Sequence, residues 1–114
     1  METEPSEPRG IQVHSGPSHT LVRLCGDVDA TLRDEASAAM GQALGSSLPV
    51  LFDASDLRFI DSTGIAFVLQ LRMAAREAGM AVSIWDPNRV VLDLLETIGM
   101  AGSIPLAEAE PVRL

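Results

Sequence analysis

Hydrophobic and polar positions along the chain first predict a pair of strands. The stretches 11–15 (IQVHS) and 19–25 (HTLVRLC) are apolar and extended in character, and the turn-forming residues 16–18 (GPS) separate them. This pattern predicts a strand, a turn and an antiparallel partner strand. We therefore expect the sheet to open with a hairpin.

Three further strands are predicted downstream. The runs 49–55 (PVLFDAS) and 80–85 (MAVSIW) are short and apolar, which is typical of strands covered on both faces. A last, weaker strand is predicted near 103–106, where Pro105 removes one hydrogen-bond donor. The segment between the third strand and the next helix, DLRFIDSTG, is expected to be a connection.

Three longer stretches carry apolar residues at helical spacing. The first is predicted to begin with a capping-box-like pair, Thr31 and Asp34, and to end at Gly45 as a residue of positive φ. Its apolar positions are Leu32, Ala36, Ala39, Met40, Ala43 and Leu44. The second follows the DSTG segment and is predicted to end at Gly79.

The third helix is predicted to start at Asp86. Asp86 would be the N-cap with Pro87 in the first turn, and Trp85 and Val90 stand at the spacing of a hydrophobic staple. Gly99 would close the helix.

The resulting order is β-β-α-β-α-β-α-β, in which strands and helices alternate after the hairpin. This order predicts an α/β fold: a mixed sheet of about five strands, antiparallel at the hairpin and then joined by parallel crossovers, flanked by three or more helices. Residues 1–10 (METEPSEPRG) are acidic and Pro-rich, and are expected to be a flexible tail. Residues 11–114 are expected to form a single domain.

Composition and charge exclude several classes of function. The 114 residues carry a formal net charge of −8, and every one of the eight basic residues is arginine. Clustered positive charge is needed to bind nucleic acid or an anionic membrane surface, so neither partner is expected. No apolar run approaches the roughly 20 residues of a membrane span, and the N-terminus lacks the pattern of a secretory signal. The expected location is the cytoplasm.

The residues that usually hold metals or cofactors are sparse. Cys25 lies in an apolar run and is expected to be a packed small hydrophobe. His14 and His19 have no metal-ligand spacing around them and are expected in a strand or a turn. We predict no metal and no cofactor.

The segment around Asp61 has two possible N-caps. If Asp61 caps, Ile60 and Ile65 form a hydrophobic staple, whereas a Ser62 cap would require Asp61 and Ala66 to form it. The staple therefore favours Asp61, and the next three residues, Ser62, Thr63 and Gly64, occupy the first three helical positions.

A hydroxyl at the first helical position can carry chemistry. Ser62 would point outward at the positive end of the helix dipole, beside unpaired N–H groups that favour a phosphate. Asp61 next to it would repel that phosphate, and Gly64 would let a partner approach closely. The alternative is that these residues simply start a helix. A serine nucleophile is not supported, because no G-x-S-x-G elbow exists and only His14 and His19 are candidate bases, so no catalytic residue is expected.

Residues 11–106 resemble a known family in motif and in element order. The motif GDVD after the second strand, the stretch FDASDLRFIDSTGIAFVLQL and the glycine-terminated helix together resemble the STAS domain of bacterial anti-sigma factor antagonists. The most specific part is the segment 53–64.

The resemblance implies a partner switch in transcription regulation, such as a stress response. In this family the unphosphorylated antagonist binds an anti-sigma factor that is also a serine kinase, which releases a sigma factor. Phosphorylation at the position of Ser62 ends the binding, and a phosphatase restores it. The resemblance also puts Asp27 and Asp29 on the partner-facing surface.

The expected partner surface has an acidic and an apolar part. Asp56 and Asp61 would add to the acidic charge, which suits an arginine-bearing partner, although such acids are often only solvated loop residues. On α-helical geometry, Ala66, Leu69 and Met73 face away from the core residues Phe67, Val68, Leu71, Ala75 and Ala78. This strip is either a partner surface or is covered by neighbouring helices. The predicted partner-binding residues are Asp27, Asp29, Asp56, Asp61, Ser62, Thr63, Gly64, Leu69 and Met73.

Two rival functions remain open at this point. The chain is either a phosphorylation-controlled antagonist, monomeric when free, or a STAS adaptor subunit of a lipid-transport ATPase complex without a phosphorylation cycle. The intact Asp61-Ser62-Thr63 triplet favours the first. A small enzyme using Asp61 and Ser62 is disfavoured, because no lysine or loop is present to hold a phosphate.

Overall fold

The computed structural model describes residues 9–112. The expected tail lies outside them except for residues 9 and 10, and Gly10 already begins the first strand. The strands and helices are, in chain order, β1 (Gly10–Ser15), β2 (Thr20–Val28), a 3₁₀ turn (Ala30–Leu32), α1 (Arg33–Gly45), β3 (Val50–Asp53), β4 (Leu57–Ile60), α2 (Ser62–Glu77), β5 (Val82–Trp85) and α3 (Val90–Thr97).

The strands form one mixed sheet in the order β1-β2-β3-β5, with β4 paired to β2. β1 runs antiparallel to β2, and every other pairing is parallel. The first half of β2 pairs with β3 (Thr20 with Val50), and its second half pairs with β4 (Val28 with Ile60). The predicted α/β fold of an opening hairpin, parallel crossovers, five strands and three helices is confirmed.

The core lies between the sheet and the helices. Val22, Phe52 and Ile84 belong to three neighbouring strands and are at most 1% exposed. They pack with apolar side chains of α2 and α3, and Phe52 meets Phe67 of α2 edge-on with ring centroids 6.1 Å apart. Each large side chain buried in this way contributes about 1.5–3 kcal/mol to stability. Cys25 is buried in β2, as expected.

The structure corrects the prediction of two strands. β4 was expected to be a connection, and it is a strand whose pattern of burial does not alternate. The strand predicted at 103–106 is reduced to a single parallel bridge between Ile84 and Leu106. Pro105 explains this, because it offers a carbonyl to the Ile84 N–H but has no N–H of its own to donate.

The start and end of α1 also differ from the prediction. Asp29, rather than Thr31, is the capping side chain: it accepts from the Thr31 N–H at 3.0 Å and from the Thr31 hydroxyl at 2.5 Å. A 3₁₀ turn therefore precedes α1. Gly45 remains helical, and the residue of positive φ is Ser47 at 58°.

The α3 helix begins four residues after Asp86. Arg89, directly before Val90, has a left-handed backbone conformation (φ 59°) and occupies the N-cap position. Asp86 is therefore not the local N-cap. Its carboxylate nevertheless reaches the helix and accepts from the Leu92 N–H at 2.8 Å. Gly79 and Gly99, both at φ 76°, follow α2 and α3 as predicted.

Candidate functional site

The end of β2 and the start of α2 meet at one edge of the sheet. Val28 pairs with Ile60 at the last position of β4, and the Asp61 N–H donates to the Val28 carbonyl at 3.3 Å. Residues 27–29 and 61–64 therefore lie side by side. Ligands of α/β sheets gather at this edge, where strands end and helices begin.

Asp61 is the N-cap of α2. Its backbone is extended (φ −105°, ψ −171°), and Oδ1 accepts from the Thr63 N–H at 2.9 Å and the Gly64 N–H at 3.0 Å. Ile60 and Ile65 are both buried, as the staple requires. The predicted cap is confirmed.

Ser62 is exposed at the first position of α2. Within residues 9–112 its hydroxyl makes no hydrogen bond, so it is accessible to a modifying enzyme. The Thr63 and Gly64 N–H groups, which could otherwise donate hydrogen bonds to a phosphate, already donate to Asp61. A phosphate on Ser62 would therefore project toward solvent beside a carboxylate.

The packing of the fold itself requires glycine at position 64. It is buried, and a Cβ at this position would lie 2.6 Å from Ile60 Cγ1 and 2.7 Å from the Val28 carbonyl oxygen. The glycine thus lets the start of α2 pack against β2 and β4. The sequence interpretation, a gap for the close approach of a partner, is not needed to explain it.

The predicted acidic residues do not all come together. Asp27 is exposed and Asp29 lies beside it, and the hydrogen bonds from the Thr31 hydroxyl and N–H lower the pKa of Asp29. Asp56 precedes β4 whereas Asp61 follows it, so the two are separated by roughly 16 Å of extended chain. Asp56 is also paired with Arg23, at 2.5 Å. The acidic edge thus consists of Asp27, Asp29 and Asp61.

A groove of about 290 Å³ lies between α1 and α2 next to this edge. Its walls include Ile11 and Phe67, and Asp29 and the half-buried Thr63 stand at its side. Ala66 lines the same groove.

The apolar strip predicted on α2 is divided by the fold. Ala66 lines the groove and Leu69 packs against the core. For Leu69 the structure thus agrees with the second alternative, in which neighbouring elements cover the strip. Met73 alone of the three stays largely accessible, at 64% exposure.

Phe59 is a surface residue that the sequence analysis missed. The β2–β4 register shifts between Gly26 and Asp27, so that Asp27 pairs with Phe59 and Arg58 has no opposite residue. Bulges of this kind re-aim side chains. Phe59 is 50% exposed next to the acidic edge. The signal in the sequence that could have indicated this surface residue is an aromatic residue only three positions before Ser62.

A protein-family model identifies the class of domain to which this fold belongs. The family model described as "Mlab, STAS domain" matches residues 11–108. The chain belongs to the STAS domain family. No match is found among curated proteins.

Solved structures support the same fold. The anti-sigma factor antagonist SpoIIAA in its unphosphorylated form superposes with a TM-score of 0.66 at 16% identity, covering 88% of this chain and 89% of that one. An anti-sigma factor antagonist from Mycobacterium paratuberculosis gives 0.68 at 19% identity, covering 87% and 85%. A Shewanella loihica protein with a SpoIIAA-like fold gives 0.60 at 14% identity, covering 94% and 93%.

Residues 9–112 contain neither a cluster of His, Cys, Asp and Glu able to hold a metal ion nor a helix long and apolar enough to cross a membrane.

Proposed function

We propose that this protein is an anti-sigma factor antagonist that works in the cytoplasm as a binding module, not as an enzyme. Its unphosphorylated form binds an anti-sigma serine kinase and so releases a sigma factor. Phosphorylation of Ser62 ends the binding, and a phosphatase reverses it. The free protein is a monomer. The observation that carries the proposal is the exposed, unbonded Ser62 hydroxyl at the start of α2 in a STAS domain.

The surroundings of Ser62 support a switch that needs no large rearrangement. Phosphorylation adds a charge of about −1.5 to −2 at neutral pH. Asp27, Asp29 and Asp61 already make this edge acidic, which suits an arginine-bearing partner surface. A phosphate on Ser62 would add charge beside Asp61, which already accepts from the Thr63 and Gly64 N–H groups. Because the partner's arginines would be matched to the acidic residues of the unphosphorylated edge, the added charge would be left uncompensated in a packed interface.

The proposed partner surface centres on the edge formed by 27–29 and 61–64. Phe59 and the groove between α1 and α2 give it apolar area, and Met73 extends it along α2, whereas Leu69 packs against the core. Asp56 stands apart from it, in its ion pair with Arg23. Aromatic residues are enriched at protein interfaces, which supports a place for Phe59 on this surface.

The first experiment asks whether Ser62 is the phosphate acceptor. The purified protein is incubated with an ATP-supplemented extract of its source cells and its intact mass is measured, with Ser62→Ala alongside. We expect one added phosphate on the wild type and none on the variant. A phosphate retained by Ser62→Ala would overturn the assignment of the site.

The second experiment measures binding of the kinase so identified. Ser62→Asp should weaken binding by at least about 100-fold relative to Ser62→Ala, since one uncompensated interfacial charge costs several kcal/mol. Ser18→Asp places the same charge in the β1–β2 turn at the other end of the sheet and should bind normally. Equal binding by Ser62→Asp and Ser62→Ala contradicts the switch.

A second candidate function is an adaptor subunit of a lipid-transport ATPase complex. The matching family model is a STAS domain model named for Mlab and not for an anti-sigma factor antagonist, and this is the observation that supports an adaptor. An adaptor needs no phosphorylation cycle. Absence of phosphate from the wild type, in an extract that modifies a control antagonist, together with co-purification of transporter subunits, would favour this function over the first.

A further inference from the structure

Two arginines of α2 line a cavity at the end of the domain opposite Ser62. Arg72 and Arg76 are four residues apart, so they lie on one side of the helix about 6 Å apart along its axis. The cavity measures about 370 Å³ and also contacts Met80, Ala81, Val82 and Pro105. Val82 begins β5 whereas Ser62 follows the end of β4, and these strands run in the same direction.

Neither arginine has a carboxylate partner within residues 9–112. The ion pairs of this part of the chain involve Arg23 and Arg89. Glu77, the acid next to Arg76 in the sequence, is exposed and makes no ion pair. Like charges four residues apart repel each other on a helix. Two adjacent unpaired cations therefore form a local positive patch in a chain whose net charge is −8.

The rest of the cavity is apolar. Met80 and Val82 are buried, and the exposed Pro105 is part of the lining. Guanidinium groups bind phosphate and carboxylate oxygens in bidentate geometry, and the apolar wall would cover a nonpolar part of the same ligand. A volume of about 370 Å³ lies in the lower part of the range for small-molecule sites.

We propose that this cavity binds an oxyanion, a phosphate or a carboxylate, attached to a small apolar group. Arg72 and Arg76 hold the oxyanion, and Met80, Val82 and Pro105 contact the apolar group. A purely structural role for Arg76 is the competing explanation, because a cation in the last turn stabilises the helix dipole. The proposal is independent of Ser62 and of the partner switch.

The test is an NMR titration of the ¹⁵N-labelled protein at constant ionic strength. The probes are phenyl phosphate, benzoate and inorganic phosphate. We expect saturable shifts confined to Arg72, Arg76, 80–82 and the residues that flank Pro105, which has no N–H of its own, and tighter binding of phenyl phosphate than of inorganic phosphate. The double variant Arg72→Gln/Arg76→Gln should bind at least tenfold more weakly, and Arg72→Lys/Arg76→Lys should fall between the two.

The matched control removes the same charge elsewhere. Arg33→Gln/Arg58→Gln has the same net charge as the double glutamine variant and should keep the wild-type affinity. If both double variants weaken binding equally, or if shifts are unsaturable and spread over the surface, the anion only screens charge and the proposal is overturned. A double glutamine variant that melts at a lower temperature, beside a wild type that shows no saturable binding, would leave only the helix-dipole role. Equal affinity for phenyl and inorganic phosphate would remove the apolar group from the proposal.

Discussion

An aspartate serves the N-terminus of both α2 and α3, but the two arrangements differ. Asp61 is adjacent to α2 and binds two N–H groups of its first turn, leaving Ser62 exposed beside it. Asp86 is 6% exposed and reaches the Leu92 N–H from four residues before α3 begins. Its Oδ1 is buried and has no hydrogen-bond partner among residues 9–112. The start of α2 is therefore accessible to solvent at Ser62, whereas the aspartate that serves the start of α3 is buried.

An aspartate that precedes a helix therefore has two structural uses. A local cap satisfies backbone donors and keeps its own neighbours accessible. A distant, buried carboxylate ties a loop to a helix but loses hydration. Only the first arrangement suits the proposed site, because a kinase and a partner would have to reach it.

The largest expected effect comes from breaking the close packing beneath the α2 terminus. Gly64→Ala would place a Cβ 2.6 Å from Ile60 and 2.7 Å from the Val28 carbonyl oxygen. We expect the free energy of unfolding to fall by about 1–3 kcal/mol in urea denaturation. Gly41→Ala in α1, where nothing lies within 4 Å of the added Cβ, should instead stabilise by up to about 1 kcal/mol. Equal effects of the two substitutions would contradict the packing argument.

The next effect removes the local cap itself. Asp61→Ala leaves the Thr63 and Gly64 N–H groups without their acceptor, and should cost about 1 kcal/mol of stability. Asp61→Asn should cost less, because the amide oxygen still accepts. Asp27→Ala, at an exposed position of the same edge, should change stability by less than about 0.5 kcal/mol. Thermal unfolding of the three variants checks this order, and a loss for Asp27→Ala as large as for Asp61→Ala would refute it.

The sequence predicted the α2 terminus well and the α3 terminus poorly, for a physical reason. Around Asp61 the cap and the staple agree, so local signals determine the geometry. Around Asp86 the same signals are present, but Arg89 adopts a left-handed conformation that delays the helix. The ion pairs of Arg89 with Asp93 and Glu96 are local, whereas the neighbouring Asn88 donates from Nδ2 to the Ser55 carbonyl at 3.1 Å, a long-range contact of this loop that local sequence signals do not reveal.

The sheet shows the same limit. The hairpin and the two apolar strands β3 and β5 follow from apolar runs, whereas β4 was missed because a bulge exposes Arg58 and Phe59 in succession. The pairing that produces this bulge joins segments about 30 residues apart. The separation of Asp56 from Asp61 and the burial of Gly64 depend on that pairing too, which is why the sequence grouped all three at one surface.

The smallest expected effect is a pH dependence of stability that arises from Asp86. Burial raises the pKa of Asp86 above 3.8, and hydrogen bonds from the N–H groups of residues 90–92 offset part of this. The folded chain then binds a proton at pH values where the unfolded chain has lost it, so Asp86 makes stability fall as pH rises from about 4 through the raised pKa. Asp86→Asn cannot ionise, so the wild type should lose stability relative to this variant over that interval in urea unfolding. Asp61→Asn keeps Asp86 and should keep the wild-type pH dependence at this group. Parallel curves of unfolding free energy against pH for wild type and Asp86→Asn between pH 4 and 7 would show that burial does not disfavour the ionised Asp86 carboxylate. The start of α3 would then differ from the start of α2 only in accessibility.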